Sequence, residues 1–382
     1  MIDPKDFIDA LRFAGTEFVT GVPDSLLKDV CACITSEFPS NQHIIATNEG
    51  SAVGMAMGHY LSTGKPAMVY MQNSGLGNAV NPIASLATGE VYGIPMVLMV
   101  GWRGEIDKHG MQLKDEPQHV KQGRITPQQL ELLDISYKTI TGNEDISSLL
   151  KMVTDLALKK SAPVAILVRK GSFSKYSLKD DRDNEHLLSR ERVIEILVDM
   201  IPDDVPIVST TGKTSRELFE LRKARKEGHK KDFLTVGGMG HASQIAAGIA
   251  LSMPEKHVYC FDGDGAVLMH MGALTINAEI SNLKHIVINN GAHDSVGGQP
   301  TMASKVNLSE IASACGYKLI KTATTEEQIK SAVNAIIGSD ESAFLEIKCT
   351  IGARDNLGRP DRTPKENKQD FMDFIKSQKN GA

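Results

Sequence analysis

Short apolar runs alternate with longer segments of helical period along most of this chain. Eight runs have the length and composition of buried strands: residues 43–46, 67–71, 96–100, 164–168, 207–210, 258–261, 285–289 and 344–349. Segments such as 51–61, 187–200 and 243–251 repeat their apolar positions with the period of a helix. Apolar strands that alternate with helices are typical of parallel sheets covered on both faces. The pattern therefore predicts an α/β fold.

The alternation is interrupted near the middle of the chain, which divides it into two predicted domains. A chain of 382 residues is long for a single hydrophobic core. Between 171 and 192 the strand–helix pattern stops, and residues 179–183 form a dense charged stretch. We interpret 171–192 as a linker between domains at 1–170 and 193–382, and a long surface loop is the alternative.

Composition and charge exclude several classes of function. The 42 Lys and Arg residues are outnumbered by 47 Asp and Glu residues, so a nucleic-acid partner is not expected. The apolar runs are much shorter than the ~20 residues of a membrane span, and no secretory signal is visible at the N-terminus. Five cysteines without CxxC spacing indicate reduced thiols. We expect a cytoplasmic protein without a membrane partner.

Two polar motifs follow neighbouring predicted strands in the second half. The strand at 258–261 leads into Asp264 and Gly265, and the strand at 285–289 leads into Asn290. The 23 residues between Gly265 and Asn289 leave room for one crossover helix, so both motifs belong at the carboxyl edge of a parallel sheet. Carboxylate and amide oxygens suit Mg²⁺, and glycine lets a diphosphate approach the backbone. These motifs predict a magnesium–diphosphate site.

This pair of motifs resembles the fingerprint of the thiamine-diphosphate-dependent 2-oxo acid decarboxylases, although the spacing is at the short end for that family. The resemblance implies thiamine diphosphate and Mg²⁺ as cofactors, with Asp264, Asn290 and the carbonyl of Ala292 as metal ligands. It also implies a pyrimidine-binding domain at 1–170 and a pyrophosphate-binding domain at 193–382. Larger members have a third domain between these two, and the short linker here leaves no room for one.

Other segments match the same family in chain order. Thr211 and Gly212 resemble its diphosphate loop, and residues 237–241 resemble the segment that holds the aminopyrimidine, with Met239 as the bulky side chain that shapes the cofactor. Taken alone, Met239 is most simply interpreted as an ordinary core methionine. The resemblance assigns cofactor contacts to Thr211, Gly212, Gly237, Gly238, Met239, Gly240, His241, Gly265 and Ala266.

Glu49 is the candidate activating residue of the first half. It follows a predicted strand and opens a helix of small residues, where the resemblance implies a glutamate that exchanges a proton with the aminopyrimidine. Without the resemblance, an acid beside a helix N-terminus is explained by the helix dipole. In the family this glutamate and the metal site come from different chains. The resemblance therefore implies at least a homodimer with active sites between chains.

Several blocks resemble compact members that act on a 2-oxo acid carrying a phosphonate, with a sulfonate as the main alternative: residues 21–25, 101–104, 114–119, 211–217 and 293–300. Such a substrate has two anionic ends and needs cationic partners. The candidates are Arg103, Lys114, Lys213 and Arg216. For each of them, a solvated surface charge is the alternative.

Two further side chains are candidates for proton chemistry. Asp24 follows a Gly-Val-Pro turn, and the resemblance favours an active-site acid that orients the substrate or relays protons, whereas a helix cap is the simpler interpretation. His293 is the first choice among the histidines for a catalytic role. The sequence does not identify the group that protonates the intermediate after CO₂ leaves.

Three rival functions remain weaker. Asp262 and Asp264 could form the DxD motif of an aspartyl-nucleophile phosphatase, but that pattern requires Thr or Val at the position of Ala266. A protein of this fold that binds the cofactor without turnover is a second alternative, although Glu49 and the metal ligands are present. A Rossmann dehydrogenase fits worst, because no GxGxxG follows a strand near either domain start.

Overall fold

The computed structural model describes residues 1–107, 109–178 and 187–380. The chain divides into two compact units, Met1–Asp180 and Asp181–Ala382, and each is built on a six-stranded sheet. The charged stretch 179–183, which the sequence places in a linker, lies entirely outside the described residues. The domain limits at 170 and 193 therefore stay predictions.

The first unit contains a parallel sheet in the order β2-β1-β3-β4-β6-β5. Its strands are β1 (Val19–Gly21), β2 (His43–Ile45), β3 (Ala67–Gln72), β4 (Met96–Gly101), β5 (Ser136–Ile140) and β6 (Pro163–Val168). Its helices are α1 (Pro4–Phe13), α2 (Lys28–Glu37), α3 (Glu49–Thr63), α4 (Leu76–Pro82), α5 (Pro117–Leu132) and α6 (Ile146–Lys160).

The second unit repeats this plan with the sheet order β13-β14-β10-β9-β7-β8. Its strands are β7 (Ile207–Ser209), β8 (Asp232–Leu234), β9 (Val258–Gly263), β10 (Leu283–Asn289), β13 (Leu319–Ala323) and β14 (Ala343–Lys348), with a small hairpin of β11 (Ala292–His293) and β12 (Gln299–Pro300). Its helices are α7 (Arg190–Met200), α8 (Lys213–Arg225), α9 (Ala242–Ser252), α10 (Asp264–Met269), α11 (Ala273–Asn277), α12 (Leu308–Ala314), α13 (Glu326–Ile337) and α14 (Pro364–Asn380).

Both sheets are covered on both faces, as the unbroken apolar strands predict. In β3, Met68 and Tyr70 pack into one buried cluster while Val69 and Met71 pack into the cluster on the other face. This follows from the alternation of side chains along a strand. Each sheet is therefore the middle layer of a helix–sheet–helix sandwich, and the predicted fold class, two domains of this kind without a third, is confirmed.

The strands that the pattern did not predict are short or lie at sheet edges. β5, β8 and β13 are edge strands of their sheets, where one face or one side is open to water and polar residues are tolerated. β1 has only three residues. The helix predicted from 187 begins at Arg190, because Ser189 is its cap and accepts a hydrogen bond from the Arg192 N–H at 3.2 Å. In the described part of the chain, no helix is both long and apolar enough to cross a membrane.

Candidate active site

The predicted cofactor segments of the second unit all lie at one edge of its sheet. They follow the strands β7, β8, β9 and β10, which are neighbours in the order β10-β9-β7-β8 and run parallel. The carboxyl ends of these strands therefore deliver Thr211, the 237–241 segment, Asp264 and Asn290 to the same edge. Open α/β sheets bind their ligands at this edge.

The diphosphate loop packs directly against the segment that follows Asn290. Gly212 has a φ of +102°, and a Cβ atom there would lie 2.6 Å from Ser295 Oγ. The backbone N–H of Lys213 donates to the same hydroxyl at 3.3 Å. Only glycine meets both the conformation and the close approach at this position. Two segments whose hydrogen-bonded residues are 82 positions apart in sequence are thus joined here.

The 237–241 segment touches the helix that begins at Asp264. A Cβ at Gly240 would lie 3.0 Å from the carbonyl oxygen of Ala266, and Gly240 has a φ of +85°. Met239 is half-buried between two glycines of positive φ, and the ring of His241 lies 4.5 Å from that of His270. The structure therefore brings this segment to the proposed metal site.

The three proposed metal ligands lie together. Asp264 is buried as the first residue of α10, and the Thr301 hydroxyl donates to its carboxylate. Burial raises the pKa of Asp264 to about 6, partly offset by Thr301 and by backbone N–H groups that include that of Asn290. The Asn290 side-chain oxygen accepts from the Ala292 N–H at 3.1 Å. Among the residues that the structure describes, Asp264 forms no ion pair, and a buried carboxylate of this kind among oxygen donors is a donor set that fits Mg²⁺.

His293 lies against the glycine that follows Asp264. A Cβ at Gly265 would be 3.3 Å from His293 Cε1, so the imidazole covers the backbone of the metal motif. Burial lowers the pKa of His293 to about 4. The ring is therefore neutral near pH 7, where it can accept a proton but has none of the charge of an imidazolium.

The cationic candidates of the second unit differ in their surroundings. Lys213 Nζ lies 2.9 Å from Asp294 Oδ1, so a carboxylate of the protein already holds its charge. Arg216, one turn later in α8, is half-buried, and burial lowers the pKa of its guanidinium. Among the described residues no carboxylate forms an ion pair with Arg216.

Sequence reasoning did not assign a role to the pair of Asp262 and His285. The Asp262 carboxylate accepts the Gly263 N–H at 2.9 Å, and its other oxygen lies 3.3 Å from His285 Nε2. Tyr317 Oη lies 3.1 Å from the other ring nitrogen. Cys260 is close enough to complete a metal-ligand trio, but the carboxylate is already engaged in fixing the turn before Asp264. In the sequence, Asp262 had stood out only as the first aspartate of the alternative DxD motif, and no pattern had pointed to His285.

In the first unit, the carboxyl ends of β2, β1, β3 and β4 are neighbours in the same way, and Glu49 follows β2. Glu49 is the first residue of α3 and is only 5% exposed. Asn78 donates to Glu49 Oε2 at 2.7 Å. A Cβ at Gly75 would lie 2.4 Å from Glu49 Oε1. Gly75 and Asn78, neither of which the sequence singled out, hold the carboxylate from the loop and helix after β3.

Asp24 is completely buried beyond the end of β1. Burial raises its pKa to about 6, although the nearby Arg103 acts in the opposite direction. Within the described chain, Asp24 Oδ2 has no hydrogen-bond partner, and a Cβ at Gly101 would lie 2.1 Å from it. α2 begins at Lys28 with Leu27 at the cap position, so Asp24 does not cap it. A buried acid with an unpaired oxygen is typical of a functional site.

Arg103 joins Asp24 in this region, but its guanidinium is largely occupied. Its Nε and Nη2 contact the two oxygens of Asp115 at 2.9 and 2.5 Å, and Nη1 donates to Ser25 Oγ at 2.6 Å. Lys114 is exposed, and no ion pair is found for it among the residues that the structure describes. The structure therefore brings Asp24 and Arg103 together but leaves Lys114 apart.

Comparison with known proteins identifies the class of this site. The N-terminal thiamine pyrophosphate (thiamine diphosphate) binding domain of thiamine pyrophosphate enzymes matches residues 5–131, and the C-terminal binding domain of the same enzymes matches residues 210–347. The two matches contain Glu49 and Asp264, respectively. The chain belongs to the thiamine pyrophosphate enzymes, and thiamine diphosphate is its cofactor.

Curated relatives place the chain more closely within this family. It is 33% identical to a phosphonopyruvate decarboxylase of Streptomyces viridochromogenes, over 98% of this chain and 95% of that protein. It is 31% identical to a phosphonopyruvate decarboxylase of Streptomyces hygroscopicus, over 98% and 94%. A sulfopyruvate decarboxylase of Methanosarcina acetivorans is 27% identical over 91% of each chain. The chain is thus an enzyme of the decarboxylase branch, a carbon–carbon lyase.

Proposed function

We propose that this enzyme decarboxylates 3-phosphonopyruvate to phosphonoacetaldehyde and CO₂ in phosphonate biosynthesis, which leads to 2-aminoethylphosphonate. The observation that carries the proposal is the convergence of the diphosphate loop, Met239 segment and metal motif at one sheet edge, in a chain that matches phosphonopyruvate decarboxylases over nearly its whole length. Bound thiamine diphosphate supplies the nucleophilic carbon and takes up the electron pair released with CO₂.

The chain's own residues would bind the cofactor and move protons. Asp264, Asn290 and the Ala292 carbonyl would hold Mg²⁺ at the diphosphate. Glu49, buried and oriented by Asn78, would exchange a proton with the aminopyrimidine. Asp24 is buried with a raised pKa, so it can carry a proton near neutral pH.

Arg216 is the best-supported partner for the second anionic group of the substrate. Asp294 forms an ion pair with Lys213, and Asp115 forms one with Arg103. Both cations are therefore less available to the substrate than Arg216. Arg216 is half-buried in the first turns of α8, directly after the diphosphate loop. A desolvated guanidinium that no carboxylate engages in the described part of the chain is suited to a phosphonate, which it can bind through two parallel hydrogen bonds.

A substrate comparison tests the proposal. The purified enzyme with thiamine diphosphate and Mg²⁺ is offered phosphonopyruvate, sulfopyruvate and pyruvate, and the aldehyde product is followed by coupled NADH oxidation. We expect kcat/KM for phosphonopyruvate to exceed the others about 100-fold, which is about 2.7 kcal/mol of transition-state binding. Preference for sulfopyruvate, which the Methanosarcina relative makes the second candidate, would replace the substrate but keep the chemistry.

Variants of Arg216 and Lys114 test the anion site. Arg216→Ala should raise KM for phosphonopyruvate at least about tenfold while thiamine diphosphate affinity stays unchanged, because a charged hydrogen bond to substrate is lost. Lys114→Ala removes an exposed charge and serves as the control. Equal KM values for the two variants would show that Arg216 does not contact the phosphonate.

We also infer a homodimer as the minimal active unit and the cytoplasm as its compartment. The dimer follows from the family resemblance, in which Glu49 and Asp264 would serve the same site from different chains. The five cysteines are free thiols, which fits a reducing compartment.

A further inference from the structure

Asp294 lies at the centre of a largely buried cluster of charges beside the proposed magnesium site. Its carboxylate accepts hydrogen bonds from Arg190 Nη1 at 2.8 Å and from Lys213 Nζ at 2.9 Å. The Gly352 N–H donates at 3.3 Å. The fourth donor is Asn290 Nδ2, at 3.4 Å. The carboxylate is therefore fixed from several sides while it contacts a proposed metal ligand.

The cluster is balanced in charge, which explains how it tolerates burial. Arg190 Nε and Nη2 donate hydrogen bonds to the two carboxylate oxygens of Glu217 at 2.7 and 2.9 Å. The side chains of Arg190 and Glu217 are only 5% and 1% exposed. Two cations thus face two carboxylates, and buried ions are tolerated when they are paired and hydrogen-bonded in this way. Because every member is held by another, Asp294 has little freedom to move.

This arrangement decides which edge of the Asn290 amide faces the metal. An amide has a donor edge and an acceptor edge, and only its oxygen can bind a cation. A carboxylate can only accept, so Asp294 attracts the Nδ2 edge. The oxygen then faces the other way, where the Ala292 N–H takes one lone pair and the second is available.

The geometry points to Asp294 as a positioning residue that orients the Asn290 amide for Mg²⁺. This inference rests on the magnesium site of the proposed function. Asp294 acts through Asn290, and the arrangement makes it necessary for metal affinity rather than for the chemical step. Residues that hold a metal ligand from behind typically contribute 10–100-fold to metal affinity.

Calorimetric titration of Mg²⁺ into the full chain saturated with thiamine diphosphate tests this role. In Asp294→Asn the neighbour of Asn290 can donate as well as accept, so the orientation is no longer imposed. We expect the Kd for Mg²⁺ to rise at least tenfold, with kcat at saturating Mg²⁺ within about threefold of wild type. Asp294→Glu keeps the charge but displaces the carboxylate, and it should weaken Mg²⁺ binding at least fivefold; it decides the question if Asp294→Asn does not fold.

Glu217→Gln is the matched control. It removes one negative charge from the same cluster, but Glu217 contacts neither Asn290 nor Asp294, and Arg190 and Lys213 still donate to Asp294 in this variant. We expect it to lower the Tm while the Kd for Mg²⁺ stays within twofold of wild type. Wild-type Mg²⁺ affinity in Asp294→Asn, or equal weakening in Glu217→Gln, would overturn the positioning role alone. Failure of the wild-type protein to bind Mg²⁺ would overturn the proposed metal site, and this inference with it.

Discussion

At the scale of single residues, Gly75 closely approaches Glu49, the proposed activating residue. The position of Gly75 has an ordinary helical φ of −69°, so alanine is compatible with the backbone there. Its Cβ, however, would lie 2.4 Å from Glu49 Oε1. The absence of a side chain at Gly75 is therefore a requirement of the glutamate, not of the local chain.

Gly75→Ala should consequently lower kcat at least about tenfold, because the added methyl group displaces the Glu49 carboxylate and small misplacements of reacting groups are costly. The measurement is kcat at saturating thiamine diphosphate. Gly77→Ala is the matched control, since a Cβ at Gly77, two residues later in the first turn of α4, meets open space. Normal turnover in Gly75→Ala would mean that the position of Glu49 is not critical.

Asp24 is a buried acid whose ionisation should lower the free energy of unfolding near neutral pH. Burial raises its pKa to about 6, above the value near 4 of an unfolded chain. Between these two pKa values the folded state binds more protons than the unfolded state. Stability from this group is therefore highest below about pH 4 and falls as the pH rises through 6.

Asp24→Asn should thus be more stable than wild type at pH 7.5, by on the order of 2 kcal/mol, with the difference disappearing near pH 4. Urea unfolding across this pH range measures it. Asp115→Asn is a control of opposite sign: although burial opposes the shift, Arg103 holds the pKa of Asp115 below its usual value, so this variant should lose stability at pH 7.5. A constant difference for Asp24→Asn at all pH values would contradict the assigned pKa.

At the scale of elements, the connections after the strands carry the chemistry and the strands position them. The loop between β7 and α8 illustrates this, because Gly212 combines a positive φ with close packing on Ser295. Substitution by alanine would strain the backbone and also push the diphosphate loop away from the Asn290 segment.

We expect Gly212→Ala to weaken thiamine diphosphate binding at least tenfold in a titration of tryptophan fluorescence or heat. Gly228→Ala has the same kind of backbone strain, with a φ of +74°, but a Cβ there meets open space. It should lose about 1–2 kcal/mol of stability and keep its cofactor affinity. Equal cofactor affinity in the two variants would show that the close packing of Gly212 on Ser295 does not contribute to cofactor binding.

At the scale of the whole molecule, the dimer proposal makes a prediction that needs two inactive variants. Glu49→Gln should bind the cofactor but turn over slowly, whereas Asp264→Ala should lose cofactor binding. If each active site takes Glu49 from one chain and Asp264 from its partner, a mixed dimer of the two variants contains one intact site.

Equal mixing with subunit exchange should therefore restore about a quarter of wild-type activity, since about half of the dimers are mixed and each has one intact site of two. Each variant alone, treated in the same way, is the control. Activity that stays at the level of the separate variants after verified exchange would exclude sites shared between chains.

The sequence by itself determined the class of fold, the central strands and the cofactor. Short continuous apolar runs such as those of β4 and β6 are typical of strands buried on both faces, so they could be located without a structure. The motif at Asp264 and Asn290 could be recognised in the sequence because the proposed binding of metal and diphosphate needs particular residue types at strand ends. Edge strands such as β5 were not predicted, because their partial exposure to water allows polar residues and they lack a continuous apolar run.

The tertiary structure alone decided which side chains are free to act. Arg103, Lys213 and Arg216 are equivalent charges in the sequence, but Asp115 and Asp294 engage the first two through contacts that no local pattern contains. The importance of Gly75 likewise follows only from the fold, which packs it against the carboxylate of Glu49, twenty-six residues earlier in the chain. Periodicity records how each element faces the core, whereas the partners of a buried charge depend on which elements the fold brings together.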